Sequence, residues 1–150
     1  MADTFTQIYI QIVFSVRNRI PLIDPSWEDE LYKYISGLIK RKGQKCLTIN
    51  GIPNHIHIFI GMKPECVLAD LVREIKKSAN RFIKSRGLIK GPFYWQSGYG
   101  AFSYSHSQLD RVIKYINNQK KHHKVVTFEE EYKELLEKYE VKYNPKYYLG

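Results

Sequence analysis

Cysteine is scarce in this 150-residue chain, with Cys46 and Cys66 its only two. Two cysteines so far apart exclude a disulfide framework and a four-cysteine zinc site, so a reducing compartment is expected. No apolar stretch is long enough to span a bilayer, and Met1-Ala2-Asp3-Thr4 lacks the basic start and apolar run of a secretion signal. A cytoplasmic protein with no membrane partner is therefore expected. A glycine-rich phosphate loop is absent too. Internal repeats and low-complexity linkers are missing. A chain of 150 residues with 43% hydrophobic content can build a real core, so one domain over residues 1–150 is expected.

Acids are in short supply as well. The formal net charge is +9, and residues 125–150 contribute −2 of it through six acids and four lysines, which leaves +11 on residues 1–124. Such an excess suits a polyanion, and nucleic acid fits it better than a membrane surface.

What is present is a clear pattern of elements. Ile8, Ile10, Ile12, Phe14 and Val16 alternate with polar residues, as in a strand with one apolar face over Thr6 to Val16. Asp24-Pro25-Ser26 opens a helix to about Lys42, and Gly43 stops it. Lys45 to Asn50 reads as a second strand, joined by Gly51-Ile52-Pro53-Asn54 to a third that begins at His55. A helix follows from about Glu65 to Ser85, and an aromatic, glycine-bearing strand from Phe93 to Ser105. Ser107 and Asp110 resemble a capping box for a helix to about Lys120, and a charged helix runs from Thr127 to about Tyr139 before an extended tail. This order predicts an α+β fold, a ferredoxin-like split-βαβ sandwich with a central antiparallel sheet in which the first and third strands are central.

Two constellations carry chemistry. His55 and His57 are two apart on a strand, so both imidazoles share one face while Ile56, Ile58 and Ile60 enter the opposite layer. The pair is a two-toothed metal clamp. Tyr115 and Gln119 are four apart on a helix, one turn above the other, where a phenol can serve as nucleophile and an amide oxygen as a third ligand. Arg73, Lys77, Arg81 and Lys84 recur at three and four residues, a row of cations able to meet phosphates or simply to be solvated. His106 and the pair His122-His123 could bind phosphates or help a metal, but surface histidines usually do neither, and they stay outside the catalytic set.

His55-Ile56-His57 resembles the signature of the HUH nucleases, and Tyr115-Ile116-Asn117-Asn118-Gln119 looks like the tyrosine helix of their single-tyrosine transposases. Ile12-Val13-Phe14-Ser15, Pro53-Asn54 and Trp95-Gln96-Ser97-Gly98-Tyr99-Gly100-Ala101-Phe102-Ser103 extend the resemblance along nearly the whole chain. The family is that of the smallest bacterial insertion sequences, related to REP-associated tyrosine transposases; the short chain favours the mobile-element type. The resemblance implies cutting and rejoining of single-stranded DNA with hairpin ends, Tyr115 attacking to form a 5′-phosphotyrosine. It implies a divalent metal on His55, His57 and Gln119, magnesium or manganese, although two imidazoles suit zinc, nickel or manganese better. It further implies a homodimer, with Tyr115 serving its own or its partner's site. Two other readings fit the residues: a single-strand DNA- or RNA-binding module without catalysis, and a metal-dependent phosphodiesterase using water.

Overall fold

The structure is a computed structural model and describes residues 2–150. Four strands form one antiparallel sheet: β1 (Tyr9–Ser15), β2 (Lys45–Ile52), β3 (His55–Gly61) and β4 (Gly100–Tyr104), in the order β2-β3-β1-β4. Five helices accompany them among the described residues: α1 (Glu28–Arg41), α2 (Leu68–Ser85), α3 (Leu109–Asn117), α4 (Gln119–His122) and α5 (Phe128–Lys138). This is the α+β, split-βαβ order that the pattern predicts, with β1 and β3 in the middle.

Period two decides which side chains meet which layer. Ile12 and Phe14 of β1 and Ile56, Ile58 and Ile60 of β3 face α1 and α2, whose Leu31, Ile35, Ile39, Leu71, Ile75 and Ala79 complete the larger core. The alternate residues form the other face. There Val13 and Phe102 pack on Phe128, Tyr132, Leu135 and Leu136 of α5, and Phe59 packs on Val112 and Ile116 of α3. His55 and His57 belong to this second face, opposite Ser15 and Val13 of β1, so they lie under α3, α4 and α5. The seat of α5 depends on Gly100: a Cβ there would stand 2.6 Å from Cε1 of Tyr132.

Several boundaries differ from the sequence pattern, each for a local reason. β1 covers Tyr9–Ser15 rather than residues 6–16, because β3 and β4 offer partners only over that span. α2 starts at Leu68, since Pro64 and Glu65 form a turn ahead of it. β4 is only Gly100–Tyr104, because Gly98, with φ of 86°, turns the chain out of register. Trp95 keeps a single bridge to Val16, and the Gln96 side chain continues the ladder by accepting from the Ser15 amide at 2.7 Å. Ser105 with Gln108, not Ser107 with Asp110, forms the capping box, and a 3-10 turn over His106–Gln108 leads into α3. The C-terminal segment is not extended: it turns at Asn144–Tyr147, and the carbonyl of Leu149 accepts from Arg19 at 3.1 Å. No helix among the described residues is long and apolar enough to cross a membrane.

Candidate active site

The two histidines are fully buried, and the loop before them fixes one of them. Pro53-Asn54 makes a two-residue turn, and Asn54 Oδ1 lies 2.8 Å from His55 Nδ1. An amide oxygen only accepts, so the His55 hydrogen sits on Nδ1 and the Nε2 lone pair points inward. Burial holds the His55 pKa down, at about 4, so the ring is neutral at pH 7. Its Nε2 faces Gln119 Oε1 at 3.0 Å and Glu131 Oε1 at 3.3 Å.

His123 repeats the arrangement. Its Nδ1 lies 2.6 Å from the carbonyl of Val126, which can only accept, so its Nε2 also presents a lone pair, 2.9 Å from Gln119 Oε1 and 3.1 Å from Glu131 Oε1. Acceptors therefore face acceptors around one point, with no hydrogen between them. A cation at that point satisfies all of them, and this fits the donor set to a divalent metal. The group comprises His55, His57, His123 and Glu131, whose ligand atoms all lie within 4.8 Å of one another.

His57 stands in a different state. Tyr104 donates to Gln11 Oε1 at 2.6 Å, which leaves the Gln11 amide nitrogen to donate to His57 Nδ1 at 2.8 Å. The His57 hydrogen is then on Nε2 and donates to Glu131 Oε1 at 2.9 Å. Burial pushes the Glu131 carboxyl up, but the facing imidazoles of His57, His123 and His55 together outweigh it and hold the pKa well below the carboxylate range.

Tyr115 and Gln119 come to the same centre, although not on one continuous helix. α3 ends at Asn117, Asn118 leaves helical geometry, and Gln119 opens α4. The cause lies in β2: the Asn50 amide donates to the carbonyls of Ile116 and Asn117 at 3.0 and 3.1 Å, taking groups that α3 cannot satisfy itself. Lys120 then pins α4 through Asn50 Oδ1 and Glu28 Oε1, each at 2.9 Å. Gln119 donates to Glu131 Oε2 at 3.0 Å, so its oxygen is turned to the imidazoles. The Tyr115 hydroxyl donates to the same Glu131 oxygen. Burial raises the phenol pKa, and the Glu131 charge raises it further.

The sequence pattern thus names four of the residues that meet here: His55, His57, Tyr115 and Gln119. It misses Glu131 and Gln11, and it misplaces His123 among the surface histidines. The His123 side chain is only 2% exposed, with the His55 ring against it at 4.5 Å between centroids. A legible sign was its spacing of four from Gln119; for Glu131 it was a carboxylate three residues from Phe128 and four from Leu135, on the buried stripe. His106 stays outside, exposed beside Tyr9. Arg73, Lys77, Arg81 and Lys84 are exposed on α2, across the sheet from this centre, and Arg73 pairs with Asp70 at 2.9 Å.

Comparisons with known proteins agree with this architecture. The ISDra2 transposase TnpA of Deinococcus radiodurans is 22% identical over 118 residues, covering 75% of this chain and 84% of that protein. A solved structure from Deinococcus radiodurans R1, assigned as a transposase, superposes with a TM-score of 0.64 at 18% identity, over 79% of this chain and 95% of the other. The REP-associated tyrosine transposase bound to a REP hairpin gives a TM-score of 0.61 at 17% identity, over 84% and 76%. Residues 4–119 match the family described as IS200-like transposases, so the chain belongs to that family.

Proposed function

We propose that this transposase acts as one domain over residues 1–150, cutting and rejoining single-stranded DNA at hairpin-bearing insertion-sequence ends through a 5′-phosphotyrosine on Tyr115. The observation that carries the proposal is the Tyr115 hydroxyl meeting the carboxylate that also faces three imidazoles. The structural relative bound to a REP hairpin supports a hairpin substrate. Two copies act together, with Tyr115 serving its own or its partner's site.

His55, His57 and Gln119 would hold a divalent cation, together with His123 and Glu131. Three imidazoles favour manganese, with zinc or nickel as tight competitors, over magnesium. The bound cation supplies positive charge to polarise the scissile phosphate. Glu131 has two tasks: Oε2 orients the Tyr115 hydroxyl, and Oε1 would join the ligand set of a bound cation. A cation sharing the Glu131 charge would leave it raising the phenol pKa less. The Tyr115 oxygen then bonds to phosphorus as the bond to the 3′ oxygen breaks; the phenol loses its proton and the departing 3′-hydroxyl gains one. A phosphodiester is exchanged for a phosphodiester, so the reverse attack by another 3′-hydroxyl joins strands without ATP.

The test uses single-stranded oligonucleotides from the DNA flanking the gene, labelled 3′ of the cut, with manganese or magnesium. Wild type is expected to carry label through a denaturing gel, and Tyr115→Phe to carry none. Cleavage without an adduct that survives Tyr115→Phe would transfer the chemistry to a water nucleophile. Binding with no cleavage in either metal would reduce the protein to a binding module.

A further inference from the structure

A cavity of about 200 Å³ opens beside the Tyr115 hydroxyl, between α3 and α5, and no step described so far uses it. Its inner wall is Tyr115 and His122, and its outer wall carries Arg111, Glu134, Tyr104 and Tyr139. The positions follow from helix spacing. Arg111 lies one turn before Tyr115 on α3, and Glu134 lies three residues beyond Glu131 on α5, so both flank the same opening. Tyr104 and Tyr139 form its aromatic end, with rings 5.7 Å apart and nearly perpendicular. His122 Nε2 is enclosed in the wall, 3.4 Å from Glu131 Oε2, and makes no hydrogen bond of good geometry among the described residues.

We propose that this cavity seats the base of the nucleotide immediately 3′ of the cut, the one that stays linked to Tyr115, and that it selects guanine there. The assignment rests on the phosphotyrosine reading above and extends it from a reaction to a sequence preference. In-line displacement places the attacking and leaving oxygens on opposite sides of phosphorus. The nucleotide that departs with its 3′-hydroxyl therefore leaves on the side away from Tyr115. The cavity is lined by Tyr115 itself, so it is open to the nucleotide joined through its 5′ oxygen. Aromatic faces offer stacking to any unpaired base. The edge is read by charge: Arg111 donates to O6 and N7, while Glu134 accepts from N1–H and the N2 amino group, and guanine alone offers both sets.

The experiment measures adduct formation on oligonucleotides identical except for the nucleotide 3′ of the cut, which is each of the four bases or an abasic residue. Wild type is expected to prefer guanine, with kcat/KM about tenfold above thymine and lowest on the abasic strand. Glu134→Gln and Arg111→Gln, both at solvent-exposed positions, are expected to flatten this preference while leaving any preference 5′ of the cut unchanged. Thermal melting of each variant separates loss of recognition from loss of folding, and a variant that melts early is replaced by the abasic comparison in wild type. Equal adduct on guanine, thymine and abasic strands would overturn the cavity assignment and leave the phosphotyrosine reading standing. No adduct on any strand would overturn both.

Discussion

Replacing Glu131 by glutamine separates two properties of the site that most substitutions would lose together. Glu131 Oε1 lies 3.3 Å from His55 Nε2 and 3.1 Å from His123 Nε2, both presenting lone pairs, and of the three imidazoles only His57, at 2.9 Å, donates to it. Glutamine has nearly the same shape and places an amide nitrogen where that oxygen stands, giving His55 and His123 a donor while removing the acceptor for His57. Its remaining oxygen still accepts from Tyr115 and Gln119. A neutral hydrogen bond contributes about 1 kcal/mol, so the two effects offset, and the metal-free variant should melt within a few degrees of wild type. Metal binding behaves differently. Outer-shell partners of a metal site already change affinity by about 10–100-fold, and loss of an anionic inner ligand should cost at least about 100-fold. Manganese at about 100 times its Kd stabilises wild type by about 2.7 kcal/mol, or roughly 5–10 °C in a chain of this size. Scanning calorimetry in EDTA, then in manganese or zinc, reads both quantities from one preparation. Glu131→Gln is expected to keep the EDTA melting point and lose the metal-dependent rise. A wild-type rise in the variant would refute Glu131 as a ligand. A fall of about 10 °C or more in EDTA would refute the lone-pair arrangement, since it would mean that the imidazoles are charged and need the carboxylate.

Other consequences follow from the same geometry. His57 can offer Nε2 to a metal only if its hydrogen moves to Nδ1, which requires the Gln11 amide to turn its oxygen inward; Gln11→Leu should therefore weaken manganese binding by about 10–100-fold, read by calorimetric titration. The His55 pKa of about 4 lies below its ordinary 6.5, so the unfolded chain takes up this proton first. The contribution is complete above pH 6.5 and is lost as pH falls towards 4, amounting to about 3 kcal/mol in EDTA; denaturant melts that stay flat over this window would contradict it. If Lys77, Arg81 and Lys84 meet phosphates, replacing all three by glutamine should reduce the slope of log affinity against log salt by about 0.7 for each phosphate of a single strand that is no longer neutralised. An unchanged slope in filter-binding measurements would make the row a solvated face.

The sheet was legible in the sequence because its signal is local. Ile56, Ile58 and Ile60 alternating with His55 and His57 specify both the strand and the face of each side chain, whatever the neighbouring elements do. Tyr115 and Gln119 were legible through spacing and resemblance, yet the break at Asn118 was not, because its cause is Asn50 on a distant strand. The same distinction explains Gln11. An alternating polar residue on β1 looks like a wet face, and only the antiparallel register that sets Gln11 diagonal to His57 turns it into that ring's partner.

Glu131 marks the boundary between these cases. In sequence it is the third of three acids, Glu129 to Glu131, that begin a capped helix, where acids are favoured by the helix dipole and need no other reason. Glu129 and Glu130 fit that reading: neither is buried, and Glu130 closes the capping box with Thr127. Glu131 does not, because it falls on the stripe of Phe128 and Leu135, which must face the sheet if the helix is to bury anything. An ionised carboxylate held on such a stripe costs several kcal/mol unless cationic or donating groups surround it. On that face of the sheet Glu131 meets three donors, His57, Gln119 and Tyr115, gathered at the centre that His55 and His57 begin. A buried carboxylate on an apolar stripe therefore implies its partners, and this inference needs only the helix period, the strand period and the knowledge that both faces meet.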